Sequence, residues 1–266
     1  VIKIKRKFII LILMIMTIQH SAFTTEIGTI EEPPGNFMNE NGEIVGLSVD
    51  FVKEIQRRIG DNTPIEIFPP ARGIYNSLNK RNYLIFSLSR TEDRENKYHW
   101  ISLVMRKPLV MFVKKGSGIK IDTLDDAREV ESIGVLRSSC QHNFLLDNGF
   151  ANVIAENDHK HNLIKLMAGR ISILYHSVQG AAQLCSDLNI DFNELEPVLF
   201  LQISESSIAM SKDSDQSLVE LWKNTAAEIK DDGTFELLAQ KWLVYTEEYI
   251  GIDAEIRDGA LNFWKE

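Results

Sequence analysis

Ser87-Leu88-Ser89-Arg90-Thr91-Glu92-Asp93-Arg94 packs three hydroxyls, two guanidinium groups and an acidic pair into eight residues. The apolar run Tyr83-Leu84-Ile85-Phe86 before it reads as a buried strand, so the segment falls in a turn between a strand and a helix. Such a turn suits a carboxylate. Arginine offers a planar fork of donors, and serine and threonine hydroxyls and free N–H groups supply the rest. Taken alone, the same residues also read as a helix start, with Thr91 as N-cap and Glu92 and Asp93 in the first turn.

Other chemistries find no support in residue spacing. No Ser-His-Asp arrangement and no phosphate-cradling glycine loop is present. His142, His159 and His161 lack partnering Cys or His at closed-site spacing, and His159 and His161 fall in a polar stretch where solvation is expected. No catalytic residue, metal ligand or cofactor is therefore assigned. The formal net charge of −9 argues against a nucleic-acid partner, whose binding rests on neutralising phosphates.

Lys3, Lys5, Arg6 and Lys7 precede an almost unbroken apolar run from Phe8 to Ile18, and Gln19-His20-Ser21-Ala22 offers a cleavage region. Residues 1–22 read as a cleaved signal peptide, which sends the chain to the periplasm. In that oxidising compartment Cys140 and Cys185 could pair or stay as separate thiols.

Elements alternate along the rest of the chain. Strands are expected at 26–30, 65–68 and 83–86, with helices from Gly46 to about Ile59 and from Ala71 to Asn79. Leu109 to Val113 is an apolar strand, and Lys114-Lys115-Gly116-Ser117-Gly118 marks a composition shift. The pattern then restarts. Strands are expected at 133–136, 153–154 and 171–175, with helices opened by Thr123, by Ser138-Ser139, at Asn162 and at Val178. Two further short strands, 198–200 and 207–210, precede helices Leu218–Lys230 and Phe235–Trp242. The class is α/β, two lobes each built on a sheet flanked by helices and joined by a two-strand hinge. Lobe one spans 23–112 and 208–266, and lobe two spans 113–207. Clefts between such lobes are favoured ligand sites. No role is assigned to residues 246–266.

Five segments in order resemble one family. Ile27-Gly28-Thr29 through Pro33-Pro34, Gly42, Gly46 and Val49-Asp50 is similar to the opening of family 3 periplasmic solute-binding proteins, the amino-acid-type receptors of ABC importers. Ser87 to Arg94 resembles their first-lobe ligand turn, and Gly134-Val135-Leu136-Arg137-Ser138-Ser139 their second-lobe turn. Gly169-Arg170-Ile171 and the pair Asp231-Asp232-Gly233-Thr234 with Lys241-Trp242 complete the match over about residues 26–243.

The resemblance implies a type II periplasmic binding fold: a monomer that closes on a small carboxylate-bearing solute and hands it to an inner-membrane ABC permease, without turnover. A sensor reporting to a membrane partner and a dehydratase on the same fold are the competing readings. By the same resemblance Arg94 pairs with the ligand carboxylate, and Ser87 and Ser89 donate hydroxyl or backbone N–H bonds. Ser139 and Cys140 present helix N-terminal amides to the same anion. Arg72 faces either the cleft or solvent, and Arg137 either the ligand or the lobe surface. The family's ammonium-binding acid falls at Ser177, a neutral residue, with His176 before it. The aromatic platform after the prolines falls at Gly35-Asn36, with Phe37 next. Glu32 either replaces the missing charge or is a solvated loop carboxylate; His176 either reads a ligand anion or closes a strand end.

Overall fold

The computed structural model describes residues 25–265, so the expected signal peptide lies outside the described residues. The first half runs β1 (Glu26–Thr29), β2 (Phe37–Met38), β3 (Ile44–Val45), α1 (Leu47–Ile59), β4 (Ile65–Ile67), α2 (Pro70–Asn79), β5 (Tyr83–Arg90), α3 (Glu92–Glu95) and β6 (Tyr98–Lys114). The middle runs α4 (Leu124–Glu129), β7 (Ile133–Leu136), α5 (Cys140–Asp147), β8 (Val153–Glu156), α6 (His159–Met167), β9 (Ile173–Ser177) and α7 (Val178–Asp187). The chain returns through β10 (Leu195–Ser211) and ends with α8 (Gln216–Asp231), α9 (Thr234–Tyr245), β11 (Glu255–Arg257) and β12 (Ala260–Asn262).

Periodicity explains the helices. In α1, Leu47, Phe51, Val52 and Ile55 fall on one face and are fully buried, and Gly60 closes the helix in the left-handed conformation at φ 71°. Apart from the β2–β3 hairpin, the strands form one mixed sheet, with the path β4-β1-β5-β10-β6-β9-β7-β8. Near one end β4, β1 and β5 run parallel, and near the other β9, β7 and β8 do. Between them β10 pairs antiparallel with both β5 and β6.

Those two central strands are 17 residues each and belong to both lobes. Val104 and Met105 of β6 pack in a core with Phe51, Trp222 and Phe235, whereas Leu109, Met111 and Val113 pack with Ile133, Leu145 and Tyr175. The crossing of β6 therefore falls near Lys107-Pro108, ahead of the boundary expected at 112/113. On β10, Leu195 packs in the second lobe and Ile208 and Met210 in the first. The strands expected at 198–200 and 207–210 are one strand. Its middle, Gln202 to Ser206, is mostly polar because it crosses between the cores, so no apolar pattern marks it.

The C-terminal segment is part of the first lobe. β12 adds to β6 in parallel at Met105 and Arg106, and Leu261 and Phe263 are buried in the Trp222 core. Cys140 and Cys185 are both free thiols.

Candidate functional site

All six parallel strands end at one cavity of about 520 Å³ between the lobes. From the first lobe come Ile30 after β1, Ile67 and Phe68 from β4, and Ser87 and Ser89 from β5. From the second come Leu136 and Ser139 after β7, Asp158 and His159 after β8, and His176 and Ser177 from β9. Ligands in α/β sheets bind outside the carboxyl ends of parallel strands, where loops are free and helix N-termini point inward. The volume suits a small molecule.

Each lobe contributes one serine in the left-handed region: Ser87 at φ 57° and Ser138 at φ 62°. Non-glycine residues adopt this conformation rarely and at a cost, and such residues collect at ligand sites. β5 continues through Ser87 to Arg90, so the first-lobe segment is a distorted strand end followed by a single helical turn. The hydroxyl of Ser87 is directed inward, to Asn36 Oδ1, and is committed before any ligand arrives. Asn36 is fully buried and its amide also donates to the Ile30 carbonyl, so it ties the loop after β1 to β5. That loop sits on the start of α1: Leu47 and Ser48 N–H donate to the carbonyls of Pro34 and Gly35. A Cβ on Gly46 would come within 2.1 Å of the Gly35 carbonyl oxygen, which is why only glycine fits.

Arg94 is 8% exposed and lines the cavity. Its Nη1 donates to the Ser89 carbonyl at 3.2 Å, and among the described residues no carboxylate pairs with it. Facing it, Cys140 Sγ lies 3.5 Å from Ser89 Oγ, so the two ligand turns touch across the cleft. Ser139 is occupied at both ends. Its N–H donates to the Leu136 carbonyl and its Oγ accepts from His142 N–H, capping α5. Among the described residues the Cys140 amide, at the start of α5, has no hydrogen-bond partner.

Glu32 also lines the cavity, but it is not free. It is ion-paired to Lys107 Nζ, whose side chain is 3% exposed, and accepts from Ser206 Oγ at 3.0 Å. Three expected residues lie elsewhere. Phe37 stacks on Tyr245 and packs edge-on to Trp242, drawn there by the first-lobe core. Arg72 is exposed on α2 and does not reach the cavity. Arg137 turns outward to Asn157 Oδ1 and the Ala155 carbonyl, steadying the end of β8. The apolar wall of the cavity comes from Phe68, Pro69, Pro70 and Ile74.

The largest departure is at the second-lobe floor. α6 starts at His159, capped by Asp158, so His159 is not in a loop. Its ring packs against His176 with centroids 3.9 Å apart and planes inclined at 37°. Burial lowers the pKa of His159 to about 4, and burial, His159 and the Lys107 charge hold His176 well below the usual histidine value. Both rings are therefore neutral near pH 7. His176 Nδ1 accepts the Ser177 N–H at 2.7 Å, which fixes the proton on Nε2. Gly180 makes room for this ring, since a Cβ there would meet His176 Cε1 at 2.2 Å. Gly180→Ala should displace the imidazole and cost about 1–3 kcal/mol by overpacking. A lowered Tm with a rotated His176 in a crystal structure checks this; an unmoved ring would contradict it.

Lys107, Phe68 and His159 escape sequence reading because each sits in an unremarkable stretch. The one trace is the polarity of Lys107 between apolar Leu103-Val104-Met105 and Leu109-Val110-Met111. Among the described residues no group of three or more His, Cys, Asp or Glu is placed to hold a metal ion.

Residues 26–245 match the family described as bacterial extracellular solute-binding proteins, family 3. The L-cystine-binding protein TcyJ of Escherichia coli (strain K12) is 24% identical over 215 residues, covering 79% of this chain and 78% of its own length. The histidine-binding periplasmic protein of Escherichia coli (strain K12) is 25% identical over 220 residues, covering 79% and 83%. Among solved structures, a histidine kinase sensor domain with similarity to periplasmic binding proteins superposes with a TM-score of 0.74 at 17% identity. It spans 83% of this chain and 96% of that one, a likeness of fold. A two-lobed α/β architecture, a cleft at the strand ends and a match over most of the chain agree: this chain belongs to family 3 of the bacterial extracellular solute-binding proteins.

Proposed function

We propose that the chain is a periplasmic receptor that captures a small, amino-acid-sized carboxylic acid between its lobes and delivers it unchanged, as a monomer, to an ABC importer in the inner membrane. The observation that carries this is Arg94: a buried guanidinium that lines the cavity, donates to the Ser89 carbonyl and has no carboxylate within ion-pair distance among the described residues. Its neighbour Asp93 feels the charge but is exposed and paired with Lys97, so the guanidinium remains available to an anion that arrives from outside. The Cys140 amide at the start of α5 and the Ser89 hydroxyl stand on the facing sides of the same cleft and supply further donors.

Binding rather than catalysis fits the rest of the site. The cavity's carboxylates are engaged or at the rim. Glu32 is held by Lys107, Asp158 accepts the Lys160 N–H as a helix cap, and Asp187 accepts from Gln183 and faces Lys160. The relatives that share most of the chain's length are named as binding proteins for amino acids, which supports a solute of that size.

A thermal-shift panel of amino acids, oxo acids, dicarboxylates and amines tests the reading. A carboxylate at 100 times its Kd should add about 2.7 kcal/mol of stability, whereas amines without a carboxylate should add none. Stabilisation by amines alone would sink the assignment, and a mass change in the recovered acid would replace the receptor with an enzyme.

A further inference from the structure

We propose that His176 determines specificity: its Nε2–H donates to an uncharged acceptor on the bound acid, a carbonyl, carboxamide or ring nitrogen, in the region where an amino acid would need a partner for its ammonium. This rests on the carboxylate reading above and names the rest of the molecule that Arg94 holds.

Four observations carry it. His176 is 7% exposed and lines the cavity, and its Nδ1 is occupied by the Ser177 amide. Among the described residues Nε2 has no hydrogen-bond partner, and it is not sealed from solvent, so a donor stands open at the ligand space. The ring is hemmed in: His159 lies against it with centroids 3.9 Å apart and planes inclined at 37°, and Gly180 lies beside its Cε1. Among the described residues no carboxylate lining the cavity is both buried and free to hold an ammonium. Ser177 is neutral, Glu32 is ion-paired with Lys107, Asp187 faces Lys160, and Asp158 caps α6 from an exposed position. Glu31 lines the same cavity but is exposed to solvent, where its charge is screened.

The neutral state of both imidazoles agrees with this geometry. An imidazolium would suit a second carboxylate, and burial beside Lys107 disfavours it. A neutral N–H instead pairs with an oxygen or nitrogen acceptor, and it leaves a desolvated ammonium without a counterion.

Matched pairs differing in one group test the proposal: L-phenylalanine against phenylpyruvate, and 5-aminopentanoate against 5-amino-5-oxopentanoate. Calorimetry on the wild-type protein should show the oxo or carboxamide member of at least one pair binding about tenfold tighter, the worth of one hydrogen bond. His176→Phe keeps the packing on His159 but has no donor, and should reduce that preference to within about threefold. His176→Gln restores an N–H and should keep it. Acids that bind but with the ammonium member equal or tighter in both pairs overturn this inference alone, as does a preference unchanged in His176→Phe. If no acid of either pair and no other carboxylate binds, the receptor reading falls and takes this inference with it.

Discussion

Replacing Arg94 with methionine should abolish the thermal stabilisation given by any carboxylate that protects the wild-type protein, while leaving the unliganded protein as stable as before or more so. The two halves of this result have one cause. Without an acid bound, Arg94 is a buried cation whose Nη1 donates to the Ser89 carbonyl. Removing it relieves a desolvation cost and loses only one hydrogen bond, so a hydrophobic side chain of similar length fits at little penalty. With an acid bound, the same guanidinium is half of a buried ion pair. Deleting one partner of such a pair costs about 3–5 kcal/mol, which is roughly two to three and a half orders of magnitude in affinity. Differential scanning fluorimetry with and without the acid reads both halves at once. A structural arginine would behave in the opposite way: the unliganded Tm would drop and affinity would change little. That outcome would remove Arg94 from the ligand site.

How far the site could be read in advance depended on what each residue answers to. Strand and helix positions followed local apolar spacing. α1 and α7 were legible because Phe51, Val52 and Ile55, or Ala181, Leu184 and Cys185, repeat on one face. Arg94, Ser89 and Cys140 lie in two segments that the family resemblance sets opposite each other, and all three line one cavity. Phe37 was misplaced because a short segment does not reveal which core an aromatic ring will join. Trp242 and Tyr245 are about 200 residues away in the chain and hold it. The polar centre of β10 was invisible for a related reason: its surroundings are the two lobes, and neither imposes an alternating pattern there. The His159–His176 contact is purely tertiary. Two strand ends meet, and burial then removes the charge that polarity alone would have suggested.

The same tertiary logic governs Glu32, and it sets the second large effect. Glu32→Gln should lower the Tm on the order of 10 °C, because it leaves the Lys107 ammonium in a nearly sealed site with no counterion. Lys107 is 3% exposed and Glu32 is 24% exposed, so water cannot take over the charge as it would on the surface. Breaking a buried pair from one side costs about 3–5 kcal/mol, and each kcal/mol moves the Tm of a chain approaching this size by roughly 2–4 °C. The pair also joins three segments. Glu32 comes from the loop after β1, Lys107 from β6 at its crossing, and Ser206, on β10, donates to the other carboxylate oxygen. Loss of the pair should therefore loosen the loop that carries Asn36, and through Asn36 the Ser87 end of β5. The double variant Glu32→Leu with Lys107→Met separates charge from packing. It removes both ions together and should recover most of the lost Tm, since well-packed apolar replacements of a buried ion pair are often neutral. A single variant that melts like wild type, or a double variant no better than the single, would mean that the carboxylate is solvated and free. Glu32 would then be available to hold a ligand ammonium, and the case for an acid without one would lose its strongest neighbour.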